Sequence, residues 1–332
     1  MIINKYKIET EIKRGAFGCI SRGNYLKTGE PVAIKMEYGE MPSLKHEVKI
    51  INYLSTSGVK QIPSIYWYGI HENNPCLIIT LYECSLLDYM KHRQITVEKM
   101  NILMLKTIDI IEHIHRFFVL HRDIKPANFM IKDGDIFLID FGLSTFYMNE
   151  NGEHYPNKQN NTIIGTPKFV SINIHMGHQY SRRDDLISLG YMYVYMILGD
   201  AMWFSDIYKH DINETSKKLI DIDHPMNILL KHNKSYDVFS KYIQCTTQYG
   251  TQKMQTQTQM QTQMQTQTQT QTQTQTQTQT QTQTQTQTQT TQKTQTQKDD
   301  PPYEQINQYI LYAYSLDYSD TPKYTPLKQI FI

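Results

Sequence analysis

Residues 121–130 read "HRDIKPANFM", and the chain runs on through "IKDGDIFLID" to Asp140, Phe141 and Gly142. Within it, "NFMIKDGDIFLID" (residues 128–140) places two short apolar-rich runs around Asp133-Gly134, a strong β-hairpin signal. Folding the arms symmetrically about that turn sets Asn128 opposite Ile139, beside Asp140. An amide and a carboxylate then meet at one end of the hairpin. Such a pair suits Mg2+, which takes few protein ligands and fills its shell with phosphate oxygens and water. A lone Asn/Asp pair more often caps a turn, but two residues just upstream favour the metal reading. Asp123 can accept a proton from an attacking hydroxyl, and Lys125 can neutralise charge on a transferring phosphoryl group.

The 332 residues carry a net charge of +1 with 20% charged side chains, so neither nucleic acid nor a membrane surface is expected as a partner. The four cysteines, Cys19, Cys76, Cys84 and Cys245, form no CxxC pair and fit reduced thiols. "MIINKYKIET" lacks the apolar core of a signal peptide, and the most apolar run, "YMYVYMILG", is too short to span a bilayer. The expectation is a soluble monomer of the cytoplasm, with the nucleus as the other compartment. Residues 251–297 break the composition: they are nearly pure Gln-Thr repeat. With almost nothing apolar to bury, the tract is read as a disordered insertion rather than a polar strand. Ordinary folded composition resumes in "YEQINQYILYAYSLDYSDTPKYTPLKQIFI" (303–332), so the tract interrupts a domain.

Upstream, "KYKIETEIK", "CISRGNYL", "EPVAIKM" and "PCLIITLY" read as strands, with one helix near Ser43 to Leu54. From Thr96 helices prevail, and "VEKMNILMLKTIDIIEHIH" puts Met100, Leu103, Met104, Ile108, Ile111 and Ile114 on one face. "KRGAFGCI" sits between strands, where Gly15 and Gly18 let the backbone approach phosphates, although this string alone reads more readily as a glycine-containing hairpin. "VAIK" ends with Lys35 in an apolar strand, where an unpaired ammonium is costly. On the helix, Leu44, Val48, Ile51 and Leu54 form the inward stripe, and Glu47 falls in the same sector. A carboxylate there needs a cation, and Lys35 is the evident one.

"GAFGCI", "VAIK", "HRDIKPAN" and "DFG", in that order, resemble the eukaryotic protein-kinase signature set. "IPSIYWYG", "GTPKFVSINIHMG" and "SRRDDLISLGYMYVY" narrow the resemblance to the casein kinase I family of Ser/Thr kinases, which has Ser-Ile-Asn where most kinases have Ala-Pro-Glu. The resemblance spans the chain apart from the Gln-Thr tract. It implies an α+β bilobal fold: small lobe 1–82, large lobe 83–250, insertion 251–298 and the end of the large lobe at 299–332. It implies ATP and Mg2+ as cofactors and protein substrates, acidic or pre-phosphorylated. By position, Asp123 is the catalytic base and Lys125 its phosphate-side partner; Asn128 and Asp140 bind the metal. Ile12, Gly15, Phe17, Gly18, Ile20, Ala33, Lys35, Glu47, Ile79, Leu81 and Tyr82 form the nucleotide site, with Thr80 to Tyr82 as its hinge. Thr166 and Lys168 face substrate, and Asp185 braces the catalytic loop. Two features depart from the family. Lys13 replaces the first glycine of the phosphate loop. The pocket for a substrate phosphate is thinned, with Lys168 in place of Arg and Asn161 in place of Lys. The alternative reading is a nucleotide-binding pseudokinase or scaffold whose Gln/Thr tract makes the interactions.

Overall fold

Period-two alternation along the early strands builds the first half of the molecule. The computed structural model describes residues 1–15, 18–38, 43–91, 95–160, 162–198, 220–221, 234 and 303–332. Phe17, Asn161 and the Gln-Thr tract therefore lie outside the described residues. Strands β1 (Ile2–Ile3), β2 (Tyr6–Gly15), β3 (Gly18–Tyr25), β4 (Pro31–Glu37), β5 (Ile65–His71) and β6 (Asn74–Thr80) form one antiparallel sheet in the order β1-β2-β3-β4-β6-β5. Val32, Ile34 and Met36 on β4 join Cys76 and Ile78 on β6 in an apolar layer on one face. Their alternate neighbours Ala33, Leu77 and Ile79 pack on the other face with Leu44. Lys35 shares that second face.

Helix α1 (Leu44–Thr56) crosses the second face and buries Leu44, Glu47, Ile50, Ile51 and Leu54. Val48, expected in the buried stripe, is only half-buried, and Ile50 takes its place. The chain leaves the sheet at Thr80, and a Glu83 N–H to Ile131 carbonyl hydrogen bond (3.0 Å) begins the second half. Here β7 (Cys84–Ser85), β9 (Phe129–Lys132) and β10 (Asp135–Leu138) make a small sheet, and β8 (Val119–Leu120) pairs with β11 (Thr145–Phe146). The expected hairpin is β9–β10, with Lys132 opposite Asp135 and Phe129 opposite Leu138. Asp133 and Gly134 supply the positive φ angles, 52° and 78°, that its two-residue turn requires.

The remaining elements are mainly helical: α2 (Leu86–Lys91), α3 (Val97–Arg116), the short pair β12 (Thr162–Ile163) and β13 (Ile220–Asp221), α4 (Ile172–His175), α5 (Arg182–Leu198), α6 (Tyr303–Ser315) and α7 (Tyr324–Gln329). Thr96 caps α3 by accepting from the Lys99 N–H. One large core joins Ile51 and Leu54 of α1 to α3, the β9–β10 hairpin, α5, α6 and α7. Thus α6, which follows the Gln-Thr tract, packs into the same core as helices that precede it. Its Tyr309 hydroxyl donates to the Leu186 carbonyl at 3.0 Å. No helix among the described residues is long and apolar enough to cross a membrane.

Candidate active site

The junction between the sheet and the helical half collects most of the residues singled out from sequence. On the sheet side, the Lys35 ammonium donates to Glu47 Oε2 at 2.6 Å and to Asp140 Oδ1 at 3.1 Å. Burial works against its charge, but Asp140 and Glu47 outweigh burial and raise its pKa. The inferred Lys35–Glu47 pair is therefore present, and Asp140 is a third member that ties α1 and the sheet to the other half of the molecule. Ala33, Ile79 and Leu81 share one apolar cluster with Leu44 and Leu77. Tyr82 is buried with its ring 5.1 Å from that of Phe137. The peptide groups of Leu81 and Tyr82 make no backbone hydrogen bond among the described residues, so this crossing can offer its edge to a heterocycle.

Ile20 lies opposite Lys35 on β3, while Ile12 occupies a bulge in β2 and is 56% exposed. Gly15 and Gly18 pair across the end of β2–β3, and they differ. A Cβ on Gly18 would sit 2.1 Å from the Met36 carbonyl oxygen, whereas one on Gly15 meets nothing closer than 3.9 Å among the described residues. Gly18 is thus required by the approach of β3 to β4, and no described neighbour imposes the same demand on Gly15. Lys13 stands exposed on β2.

On the other side, Asp123 is buried at the centre of a polar cluster. Thr166 Oγ1 donates to its Oδ1 at 2.6 Å, and the Lys125 ammonium lies 2.9 Å from its Oδ2. Lys125 also donates to Thr166 at 3.0 Å, closing a triangle. Burial alone would push the Asp123 carboxyl up, and Asp140 adds to that, yet Lys125 and Thr166 prevail and hold it below the usual carboxylate range. It is ionised at neutral pH. Asn128 donates through Nδ2 to the Asp123 carbonyl (2.8 Å) and carboxylate (3.1 Å), which leaves its amide oxygen as the end for a cation. The Ile139 N–H donates to the Asn128 carbonyl at 2.9 Å, as the hairpin fold-back requires, and brings Asp140 alongside. An all-oxygen pair of one amide and one carboxylate suits a hard divalent cation, and the pull of Asp140 on Asp123 marks the local excess of negative charge.

Backbone strain marks the site: Arg122 and Asp140 both hold positive φ, 66° and 67°. Asp185, fully buried on α5, secures the first. It accepts from the His121 and Arg122 N–H groups at 2.8 and 2.9 Å and pairs with His115 Nε2 at 3.0 Å. His115 in turn meets the Tyr324 hydroxyl of α7 at 2.5 Å. His115, Tyr324 and the neighbouring Asp184 escaped the reading of the sequence. Asp184 accepts from Ser171 Oγ (2.5 Å) and Asn173 Nδ2 (3.1 Å), both in the Ser-Ile-Asn string. Burial raises its pKa. Lys168, expected to face substrate, rests its ammonium 5.1 Å from the Tyr195 ring centroid.

The family model described as "Protein kinase domain" matches residues 6–244. That span covers strands β2 to β6, α1, the Asp123 cluster, His115 and Asp185, well over half of the 332 residues. With the geometry and the match in agreement, the chain belongs to the protein kinase family.

Proposed function

We propose that this kinase is a Ser/Thr enzyme of the casein kinase I kind. It transfers the γ-phosphoryl group of ATP to serine and threonine hydroxyls of proteins and favours acidic or pre-phosphorylated segments. The observation that carries the reading is the closed pair of constellations, Lys35–Glu47–Asp140 facing Asp123–Lys125–Thr166. In this reading Ala33, Ile79, Leu81 and Tyr82 receive the adenine, and Lys35, kept charged, holds the phosphates. Asn128 and Asp140 would hold Mg2+, which supplies positive charge to the phosphate oxygens.

The substrate hydroxyl takes the position on Asp123 that Thr166 now occupies or shares. Asp123 orients it and receives its proton as the oxygen–phosphorus bond forms and the bond to the ADP oxygen breaks. A carboxylate this acidic is a weak base towards a free hydroxyl, so proton transfer comes late, as a loose transition state permits. Lys125 neutralises charge on the moving phosphoryl group. What supports the subfamily is the Ser-Ile-Asn string, anchored here by Asp184. The proposed lobes are 1–82 and 83–250 with 299–332, and the proposed compartment is the cytoplasm. The test is transfer from labelled ATP with Mg2+ to casein and to peptides offering Ser, Thr and Tyr. Phosphoserine and phosphothreonine are expected. ATP binding without transfer to any acceptor would establish the pseudokinase, and phosphotyrosine as main product would refute the Ser/Thr assignment.

A further inference from the structure

A fully buried lysine lies beneath the loop that carries Thr166 and Lys168. The Lys234 side chain has no solvent exposure, and its Nζ donates to the carbonyls of Pro167 at 2.8 Å and Val170 at 2.6 Å. A third contact joins Nζ to His175 Nε2 on α4 at 3.1 Å, and the Tyr191 ring lies 4.9 Å away. Its own carbonyl accepts from the Tyr314 hydroxyl of α6 at 3.0 Å, and that hydroxyl also bonds Tyr191. No carboxylate among the described residues pairs with it. Burial draws its pKa well below the ordinary lysine value. The two carbonyl bonds survive in either protonation state: an ammonium donates its third proton to His175, and an amine accepts one from it.

Burying an amine without a counter-ion is costly, and a methionine would fill the same volume. What the amine adds is a grip on loop backbone at two points that bracket Lys168 and Phe169. The loop is otherwise irregular, turned by Phe169 and Val170 N–H bonds to the Thr166 carbonyl at 2.8 and 3.0 Å. Its upstream end is pinned at Gly165, whose φ is 101° and whose absent Cβ would lie 2.5 Å from the Arg122 carbonyl. We propose that Lys234 is a positioning residue for substrate. From below, it fixes the 166–170 backbone so that Thr166 stays in register with Asp123 and Lys125 and the loop beside the acceptor hydroxyl is preformed. The inference rests on the protein-phosphorylating activity proposed above, and through Tyr314 it makes α6 part of the substrate-side architecture.

The test uses the full chain with Lys234→Met and Lys234→Ala. Both variants should raise KM for a phosphoacceptor peptide about tenfold or more while KM for ATP stays within about twofold. Added n-propylamine should restore part of the loss in Lys234→Ala and none in Lys234→Met, whose pocket is filled. Amide hydrogen exchange should quicken at 165–171 and stay unchanged in α1, a readout independent of turnover. Folded variants with wild-type peptide KM and wild-type exchange would overturn the proposal. So would variants that fail to fold with or without the amine, which would make the lysine purely structural. A wild-type chain that phosphorylates no acceptor would refute the proposed activity instead, and the exchange measurement would still decide whether Lys234 orders the loop.

Discussion

Asp123 shows how much of a site a single residue's surroundings decide. Its carboxylate already accepts from Thr166 and pairs with Lys125, so Asp123→Asn keeps the shape and removes the proposed proton acceptor. Transfer should fall about 10²–10⁴-fold with nucleotide affinity retained, as read by steady-state kinetics beside ATP-binding calorimetry. The glycine pair makes a sharper test, because both residues read alike as phosphate-loop glycines. An alanine at position 18 drives its methyl into the Met36 carbonyl, so β3 and β4 must part. Gly18→Ala should therefore cost about 1–3 kcal/mol of stability. Gly15→Ala, whose methyl meets no described atom closer than 3.9 Å, should stay within about 0.5 kcal/mol. Thermal unfolding of both variants separates the two roles, and equal losses would show that both glycines serve packing.

At the scale of elements, the Asp185 brace joins three helices to the strained turn at Arg122. Neutral His115 donates to Asp185 through Nε2, and its Nδ1 meets the Tyr324 hydroxyl, so α3, α5 and α7 converge on one carboxylate. Burial lowers the His115 pKa, and the opposing pull of Asp185 does not reverse it. The sign follows from linkage. With the folded pKa below the unfolded value of about 6.5, the unfolded chain binds the extra proton first. Stability from this site is complete above that pH and declines as pH falls towards the folded pKa. Asp185 is also depressed, despite its burial, by His115 and the backbone donors; its loss belongs to a more acidic window, near and below the ordinary carboxylate range. Melting temperature should drop between about pH 7 and pH 5, and His115→Gln should flatten that slope while lowering stability at pH 7.5. Parallel curves for the two proteins would remove His115 as the titrating group.

For the whole molecule, the Gln-Thr tract separates the end of the family match from two helices that pack into the core. Two similar strings flank it, "YDVFSKYIQ" (236–244) and "YEQINQYIL" (303–311). The family match ends with the first, which lies outside the described residues, whereas the second forms α6 and packs on α5. There Gly190 admits Tyr309 and Ile310, and Arg182 and Arg183 reach the carbonyls of Ser319 and Leu316 beyond α6. The residues after the tract thus contribute core, and the tract itself has almost no apolar side chain to add. Excising 251–297 with both flanking strings kept should leave activity unchanged and melting temperature equal or higher. Shortening the loop about tenfold returns at most about 2 kcal/mol of closure entropy. An insoluble or inactive deletion would show that the tract supplies structure. The comparison needs only thermal unfolding and casein phosphorylation side by side.

What was legible in the sequence was local or carried by ordered strings. The apolar strand around Lys35 called for a partner for its ammonium, helix periodicity turned Glu47 inward, and the Asp133-Gly134 turn set Asn128 against Ile139. Each rests on spacings of a few residues, where backbone geometry alone decides which side chains share a face. The long-range partners were decided by packing. His115 and Tyr324 stand 209 residues apart, and Lys234 lies 64 residues from Val170. No periodicity links such pairs, and in a chain rich in Lys, Tyr and Asn neither a lone lysine nor a late tyrosine stands out. Gly18 makes the same point at short range: its neighbours in sequence suggested a phosphate, and the strand beside it supplied the carbonyl that excludes a side chain. Burial and hydrogen bonding depend on which surfaces meet, and only the folded chain brings those surfaces together.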